Sequence, residues 1–590
     1  MSVVTHQIGE NVRVAFTREA RFLGELEPEN LSNLGLVSTL PASLGFIAPV
    51  TKNDLNSTLI IRNLCRWRNG NLHAFESKTA VTEESTKLWL EEGLASGLKI
   101  LFKILSPSQE MVGHIGLAWN LHANRLEIDN VIRGEPESPG IMGAALKFVE
   151  RYAHIEFNAL SLFLRVVETN DHAISFYRNQ GYLPTDELPL DEIPGKSEDS
   201  QGVGAYRVMA KSLTRQSGNE GQLLTAGPSI GFRERAYSAE SVSFGWNARS
   251  SSFLDRLEES FSQFIGVSHA LATSSCTGAL HLALAALGVG PGDEVIVPAI
   301  TWVATASAVR YVGAQPIFVD VDADSWTLDH AKIEEKISAR TKAIIAVHLY
   351  GFVAHIREIK EFCDARGLYL VEDAAPAIGA TSEGKNVGSF GHFGCFSFQG
   401  AKLLVSGEGG MLVSNSPDLM ARARKLQEHG RRPGTFIIDE LGYKYKMSNQ
   451  TAALALGQLE RAQPQIDRKR MIAGWYRELL ADCPGIRFQT ELEGTKSIHW
   501  MTSVAVTWEE QGQHAVALRG LLAEKAIDSR PVFPNLAGFE FWRQQPEELL
   551  VAEQLANNAI NLPSGVNLVW RDVERVAHAI QESIKRPRSS

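Results

Sequence analysis

The residues with the most chemical content lie in the second half of the chain. Val371-Glu372-Asp373-Ala374-Ala375-Pro376 sets a carboxylate at the end of an apolar run. Gly391-His392-Phe393-Gly394-Cys395-Phe396-Ser397-Phe398-Gln399-Gly400-Ala401-Lys402, with Gly407-Glu408-Gly409-Gly410 behind it, sets a lysine on a glycine-flanked turn. A buried carboxylate keeps a pyridine nitrogen protonated so that the ring can accept electrons, and a lysine amine forms a Schiff base with an aldehyde. Together they are what pyridoxal phosphate chemistry needs from a protein. Each also has an ordinary reading, Asp373 as a strand-end cap and Lys402 as a surface lysine. A second group lies nearer the N-terminus. A strand ending Asn130-Val131-Ile132 precedes Gly140-Ile141-Met142-Gly143-Ala144-Ala145, a glycine-containing turn opening a helix, which exposes amides to a pyrophosphate. Tyr177 follows, and a tyrosine (pKa about 10) can pass its proton to a departing thiolate (about 8.5).

The elements that must carry these groups follow from hydrophobic period. After residues 1–50, which show no clear period and carry Pro41 and Pro49, the chain reads as a helix from Thr51, then strands at Lys99–Leu105, Met111–Trp119 and Leu126–Ile132. A helix over Gly140–Tyr152, a strand over Ser161–Val167, a helix over Asp171–Asn179 and a strand over Ala205–Ala210 complete a small α/β unit. Leu188–Gly204 is acidic and turn-rich, and Thr214–Pro228 is polar and aperiodic, which places the domain boundary there. Beyond it, apolar runs at Glu294–Val297, Pro316–Val321, Ala343–His348 and Leu368–Val371 alternate with helical patterns, the signature of βαβ units on a mostly parallel sheet. After about Asn449 the pattern turns helical and then mixed, as in a smaller C-terminal part.

Composition narrows the function. With 590 residues, 44% hydrophobic and 21% charged, the chain is globular, and its net charge of -10 disfavours nucleic acid or an anionic membrane as partner while leaving room for local basic pockets. Its 5 cysteines are scattered without metal-ligand spacing, which argues against a zinc site or a disulfide framework. No apolar run reaches the length of a membrane span and Met1–Arg21 lacks the apolar core of a signal peptide, so the expected address is the cytoplasm, with no membrane insertion. Basic runs such as Arg468-Lys469-Arg470 and Arg431-Arg432 read as solvated faces.

Over essentially residues 228–585 the chain resembles the sugar-nucleotide aminotransferases of the pyridoxal-phosphate fold type I superfamily, perosamine synthases in particular. The likeness rests on the segments above together with Ser274-Ser275-Cys276-Thr277-Gly278, Gly290-Pro291-Gly292-Asp293, Thr301-Trp302-Val303-Ala304-Thr305, His348-Leu349-Tyr350-Gly351, Met447-Ser448-Asn449 and Asn561-Leu562-Pro563. The resemblance implies Lys402 as the Schiff-base lysine and proton carrier, Asp373 as the pyridinium partner, and Cys276, Thr277 and Ser397 as the phosphate cup. It implies Trp302 as an aromatic plate on the cofactor and Asn449 as the residue that reaches a neighbouring subunit's phosphate, hence a homodimer through this domain. Trp302 can otherwise be core, Ser397 a strand hydroxyl and Asn449 a helix cap. His348 and His392 read as structural. One departure is Pro376, where the family carries a polar side chain facing the cofactor's phenolic oxygen; proline makes no such bond.

Residues 50–213 resemble a GNAT N-acyltransferase, on the Gly140–Ala145 tract with Trp67-Arg68-Asn69, Asn170-Asp171-His172-Ala173, Phe176-Tyr177 and Gly181-Tyr182. This implies Gly140, Gly143 and Ala145 as contacts to acetyl-CoA, Asn170 on its pantetheine arm or as a helix cap, and Tyr177 as general acid. Gly140 stands where the family has Gln or Arg, so the loop lacks a polar side chain. The base that deprotonates the amine stays open: Glu127 and Asp129 alternate on one strand and share a face.

The expected architecture is α/β: residues 1–50 an extension of unknown role, 51–213 a GNAT-like mixed α/β domain, 214–228 a linker, and 229–590 a fold type I aminotransferase with a large, mostly parallel α/β/α part to about 449 and a small C-terminal α+β part. The expected function is bifunctional: glutamate supplies an amino group through pyridoxal 5'-phosphate to a nucleotide-linked keto sugar, at C4 of a 4-keto-6-deoxyhexose with the 3-amino branch or a cyclitol substrate left open, and acetyl-CoA then acylates the amine. The alternatives are an aminotransferase with a degenerate acyltransferase module, and a non-catalytic sensor of cofactor and sugar.

Overall fold

The computed structural model describes residues 16, 19–20, 23, 38–40, 44–72, 79–121, 125–135, 139–157, 159, 161–184, 206–212, 222–506, 514–542 and 549–585. The acidic segment 188–204 and most of residues 1–50 lie outside the described residues. The chain forms two compact units, the first from residues 1–214 with 230–240, the second from 215–229 with 241–590. The expected linker is therefore corrected. Residues 215–229 belong to the second unit, and the stretch after them returns to the first, where Ala236 joins the core and Arg233 pairs with Glu19, both buried.

The first unit contains β1 (Ser38–Thr39), β2 (Phe46–Pro49), α1 (Thr58–Gly70), α2 (Glu83–Ser96), β3 (Lys99–Leu105), β4 (Met111–Asn120), β5 (Arg125–Arg133), α3 (Ile141–Phe157), β6 (Ser161–Val167), α4 (Asp171–Asn179), β7 (Leu183–Pro184), β8 (Tyr206–Ser212) and the start of α5 (Phe232–Phe244). Its eight strands run in the order β1-β2-β3-β4-β5-β6-β8-β7. Alternation builds two cores: Ile100, Phe102 and Ile104 pack with Leu146 and Val149 of α3, while Leu101 packs with Ile61, Leu64, Leu90 and Leu94 of α1 and α2. The described end of the extension belongs to this sheet, since β2 pairs with β3 over Phe46↔Leu105 to Pro49↔Phe102. Pro49 ends β2 at a position where the ladder to β3 passes to the Val50 amide, which donates to the Leu101 carbonyl at 2.7 Å, so no proline amide is needed on that side.

The second unit holds α6 (Ser252–Ile265), β9 (His269–Thr273), α7 (Cys276–Ala286), β10 (Glu294–Pro298), α8 (Ala304–Tyr311), β11 (Gln315–Val319), β12 (Thr341–Val347), α9 (Ile356–Arg366), β13 (Tyr369–Asp373), β14 (Phe393–Ser397) and β15 (Gly410–Ser414). These strands form one sheet in the order β11-β10-β12-β13-β14-β15-β9. The five strands from β11 to β14 are parallel; β15 runs antiparallel to both its neighbours. Then follow α10 (Pro417–Gln427), α11 (Asn449–Glu460), α12 (Ala462–Leu479), β16 (Ile486–Phe488), β17 (Thr502–Val506), α13 (His514–Glu524), β18 (Arg530–Pro531), α14 (Leu550–Asn558), β19 (Ala559–Leu562) and α15 (Trp570–Lys585), with a four-stranded antiparallel sheet β16-β17-β19-β18.

One basic run departs from its solvated reading. Arg431 and Arg432 lie at the surface in ion pairs with Glu428 and Asp439, but Arg468 and Lys469 on α12 are buried. The run lies on a helix face that meets two loops whose carbonyls need donors. Among the described residues, no helix is long and apolar enough to cross a membrane.

Candidate active sites

In the second unit the parallel strands end at one edge, where open α/β sheets bind ligands. Asp373 is the last residue of β13 and is buried. Its Oδ2 accepts the Thr305 hydroxyl at 2.7 Å and its Oδ1 the Ala375 amide at 3.2 Å. Because the Thr305 proton goes to Asp373, the Thr301 hydroxyl donates to Thr305 Oγ1 at 3.0 Å. The neighbouring Glu372 anchors the strand end: it accepts amides from Gly388, Phe390 and Gly391, each at 2.7 Å, and faces His348 Nε2 at 3.1 Å. His348 Nδ1 accepts the Ala354 amide at 3.2 Å, which leaves Nε2 to face Glu372. Burial pushes the Asp373 carboxyl up, against the pull of Thr305, Ala375, Lys402 and His348. A carboxylate so placed gains from a further cation beside it.

Burial pushes the Lys402 ammonium down to about 8, with Asp373 and then Cys276 pulling it back up. Its Nζ lies 3.9 Å from the centroid of the Trp500 ring. The Cys276 and Cys395 thiols are buried and pushed up, so neither is a ready nucleophile.

The three residues read as a phosphate cup come together around Gly410. Ser397 pairs with Gly410 across β14 and β15, Gly410 pairs with Thr273 of β9, and α7 starts immediately after. A Cβ on Gly410 would stand 2.5 Å from the Cys276 amide nitrogen, so only glycine lets β15 approach the helix start. The Ser275 side chain caps Gly278 at 3.0 Å, leaving the Cys276 and Thr277 amides at the opening of the helix, where an anion is favoured by both geometry and dipole. A glycine cradle beside a helix start, a serine, a carboxylate in want of a cation and an amine of lowered pKa form a donor set that fits pyridoxal phosphate.

Trp302 is 58% exposed, which removes the core reading; its ring lies 5.5 Å from Phe533. Asn449 is corrected. Its carboxamide is buried, accepting the Phe253 amide at 2.9 Å and donating to the carbonyls of Gly245 and Arg249 at 3.4 and 3.3 Å, so both hydrogens are engaged within the chain. It ties the Gly245–Phe253 segment to α11, and the hydrogen bonds leave no donor for a neighbouring phosphate.

Thr305 and Tyr350 stood in the stretches quoted above without a role of their own, and Trp500 was not singled out. Thr301 and Thr305 carried a signal, being four apart at a helix start. Trp500 carried none, because only the fold brings it to Lys402.

The first unit gathers a separate set. Tyr177 on α4 is buried, and burial followed by the Asp129 charge pushes its phenol up, so it keeps its proton at neutral pH. The two candidate carboxylates separate clearly. Glu127 is buried between Arg125 at 3.0 Å, Arg165 at 3.1 Å and the Asn120 amide at 2.9 Å. Asp129 is partly open, pairs with Lys99 at 2.9 Å and lies near both Tyr177 and His114. Beside it the β4–β5 register shifts between His114 and Gly116, and Asn130 sits at φ 49°, strain of the kind found beside functional sites.

Of the acetyl-CoA contacts, Gly140 (φ 87°) turns the chain into α3, which begins at Ile141. The Ala144 amide already bonds the Gly140 carbonyl, so Ala145 is inside the helical ladder and offers no free amide. That contact is withdrawn, since Ala145 is fully buried packing. Gly143 lies in the first turn, its Cβ position 3.4 Å from the Gln180 side chain. Asn170 is a cap, its Oδ1 accepting the Ala173 amide at 3.1 Å.

The profile of the DegT/DnrJ/EryC1/StrS aminotransferase family matches residues 228–581, and that of an acetyltransferase (GNAT) domain matches residues 47–186. GDP-perosamine synthase of Vibrio cholerae is 37% identical over 357 residues, 60% of this chain and 97% of that protein. A UDP-N-acetyl-3-dehydro-alpha-D-glucosamine 3-aminotransferase of Acidithiobacillus ferrooxidans is 37% identical over 56% of this chain and 88% of its own. The aminotransferase TlmJ of Streptoalloteichus hindustanus superposes with a TM-score of 0.58 at 30% identity, over 62% of this chain and 99% of that one.

Proposed function

Because the chain belongs to the DegT/DnrJ/EryC1/StrS aminotransferase family, as a sugar aminotransferase fused to a GNAT acetyltransferase domain, we propose that it performs two consecutive steps on one nucleotide-linked sugar. The first moves an amino group from glutamate to C4 of a 4-keto-6-deoxyhexose, giving the 4-amino sugar and 2-oxoglutarate. The second transfers acetyl from acetyl-CoA to that amine, giving the amide and free CoA. The observation that carries the first step is that buried Lys402 feels the Asp373 charge at the strand edge beside the Gly410 cradle.

Pyridoxal phosphate, when bound, supplies the electron sink for carbanion chemistry at the carbon bearing nitrogen. Asp373 would hold the cationic ring nitrogen, while Ser397 and the Cys276 and Thr277 amides would take the phosphate. Lys402 Nζ, with a pKa brought down to about 8, removes a proton from the amino donor's Cα and later delivers one at the sugar carbon. The C4 position follows the likeness to GDP-perosamine synthase; the similarity to a 3-aminotransferase keeps C3 as the competing site.

In the acetyltransferase unit Asp129 takes the proton of the incoming ammonium and Tyr177 gives its own to the departing thiolate. A second reading, in which this unit is a degenerate module, is favoured by Gly140 and by the engagement of Asn170 as a cap. We place the enzyme in the cytoplasm and as a homodimer, in which a second copy covers the exposed Phe436 (94%) and Leu441 (90%).

The test is absorbance of the full chain with pyridoxal phosphate before and after glutamate, then product analysis with nucleotide-linked 4-keto and 3-keto sugars and acetyl-CoA. A visible band that glutamate shifts to the ultraviolet supports amino transfer, and its absence overturns it. Amine without amide in the presence of acetyl-CoA, together with no heat of acetyl-CoA binding, selects the degenerate-module reading.

A further inference from the structure

Three consecutive basic residues on α12 point their donors at backbone carbonyls rather than at solvent. Arg468 Nε donates to Val566 at 3.1 Å, Lys469 Nζ to Trp500 at 2.7 Å and also to Ser564, and Arg470 Nε to Ser497 at 2.8 Å. They clasp two loops, residues 497–500 and 563–566. Lys469 is 5% exposed and, among the described residues, faces no carboxylate. Burial pushes the Lys469 amine down to about 7, so its N–H donors to two carbonyls hold it there as much as charge does, and an apolar side chain in its place would satisfy packing. Such a group asks for a role beyond filling space.

The loop it holds is under local constraint. His499 sits at φ 48°, in the left-handed region, directly before Trp500. On the far side Gly351, at φ 97°, makes room for the loop, since a Cβ there would meet Ile498 Cγ1 at 2.7 Å and the Trp500 amide at 3.0 Å. The Trp500 ring is oriented at three further points: its Nε1 donates to the Ala401 carbonyl at 2.8 Å, its face meets the Tyr350 ring at 6.1 Å, and the Lys402 ammonium lies over it. Non-glycine residues held at positive φ persist where surrounding contacts over-determine them, and they cluster at functional sites.

We propose that Lys469 is a positioning residue for amino transfer: by holding the Trp500 carbonyl it fixes the indole that faces Lys402. It acts through Trp500 and touches neither cofactor nor substrate. The proposal rests on Lys402 being the lysine that links the cofactor.

The experiment is a double-mutant cycle on the full chain with Lys469→Met, Trp500→Leu and both together. It reads the apparent dissociation constant for added pyridoxal phosphate and the pH midpoint of the visible band, with thermal unfolding alongside. Each single change is expected to weaken cofactor uptake about tenfold, and the double to be no weaker than Trp500→Leu, where independent sites would give about a hundredfold. Lys469→Arg keeps donors but is longer and bulkier in this buried pocket, and is expected to recover uptake only in part. Additive losses overturn the proposal, and so does a Lys469→Met protein that melts earlier but takes up cofactor with the wild-type constant and midpoint. Should Lys469→Met fail to fold, Lys469→Gln enters the same cycle under the same criteria. A wild-type protein that forms no visible band instead removes the Lys402 assignment, an outcome separate from either of these.

Discussion

The Lys402 ammonium stands 3.9 Å from the centroid of the Trp500 indole, and that indole's Nε1–H donates to the carbonyl of Ala401, the residue preceding the lysine. One aromatic side chain therefore holds both the head group of Lys402 and the backbone that carries it. A cation over an indole face is stabilised, more so when desolvated, so the contact orients the amine when it is charged and leaves it free to react when it is not.

The reactivity of that amine sets the first prediction. Burial brings Lys402 down to about 8, so in the cofactor-free protein it becomes neutral, and nucleophilic, as pH rises through about 8 rather than through the ordinary lysine range. The rate of visible-band formation on mixing cofactor-free protein with pyridoxal phosphate is expected to rise from pH 6 to a plateau above about 9. Lys402→Ala should form no protein-linked band. A profile still rising steeply at pH 10 would contradict the lowered value.

Thr305 supplies the second. Its hydroxyl is the side-chain donor to Asp373 Oδ2, in a buried setting. Thr305→Val keeps the shape and leaves that oxygen without its partner. A lost bond to a buried charged group is worth about 1.5–3 kcal/mol, so cofactor affinity should fall by about tenfold to a hundredfold. Equilibrium titration checks it, and unchanged affinity would show that Asp373 does not depend on the hydroxyl.

The fold was largely legible and the contacts were not. The β13 run and its closing Asp373 are readable because a buried parallel strand is a continuous apolar stretch that ends at the ligand edge. The helix that carries Tyr177 was readable from a local pattern. By contrast, β2 was hidden by Pro49, and the return of residues 230–240 to the first unit left no compositional mark. Trp500 and Lys469 lie far along the chain from Lys402, and no local period records which helix face will meet which loop. Asn449 shows the opposite error, a motif position whose amide the fold engages elsewhere.

His114 gives a pH prediction for stability. It is buried on β4 with Nδ1 unpartnered among the described residues, and burial outweighs the Asn130 carbonyl and the Asp129 charge to bring it down to about 4. Between pH 6.5 and 4 the unfolded chain binds a proton that the folded chain refuses, so the contribution is complete above about 6.5 and lost as pH falls toward 4. Its upper bound is about 3 kcal/mol. His499 in the second unit, brought down to about 3, acts with the same sign. His114→Gln should therefore flatten, without abolishing, the fall in melting temperature between pH 6.5 and 4.5, measured against wild type by calorimetry.

The two carboxylates of β5 separate catalysis from stability in the acetyltransferase unit. Asp129 is partly open and within electrostatic reach of Tyr177, whereas Glu127 is buried and engaged by Arg125, Arg165 and Asn120. Asp129→Asn removes a proton acceptor while keeping shape, so amide formation should slow by about a hundredfold or more, with the melting temperature and amino transfer unchanged. Glu127→Gln strands two guanidinium groups against a neutral amide. Breaking a buried pair costs about 3–5 kcal/mol, reduced here because Arg165 is partly solvated, so the main effect should be a lower melting temperature with acetylation per folded molecule retained. Acetyl transfer to the isolated amino sugar, followed by CoA release, reads the first variant, and calorimetry reads the second. The reverse pattern, a stable but inactive Glu127→Gln and an active Asp129→Asn, would move the base to Glu127.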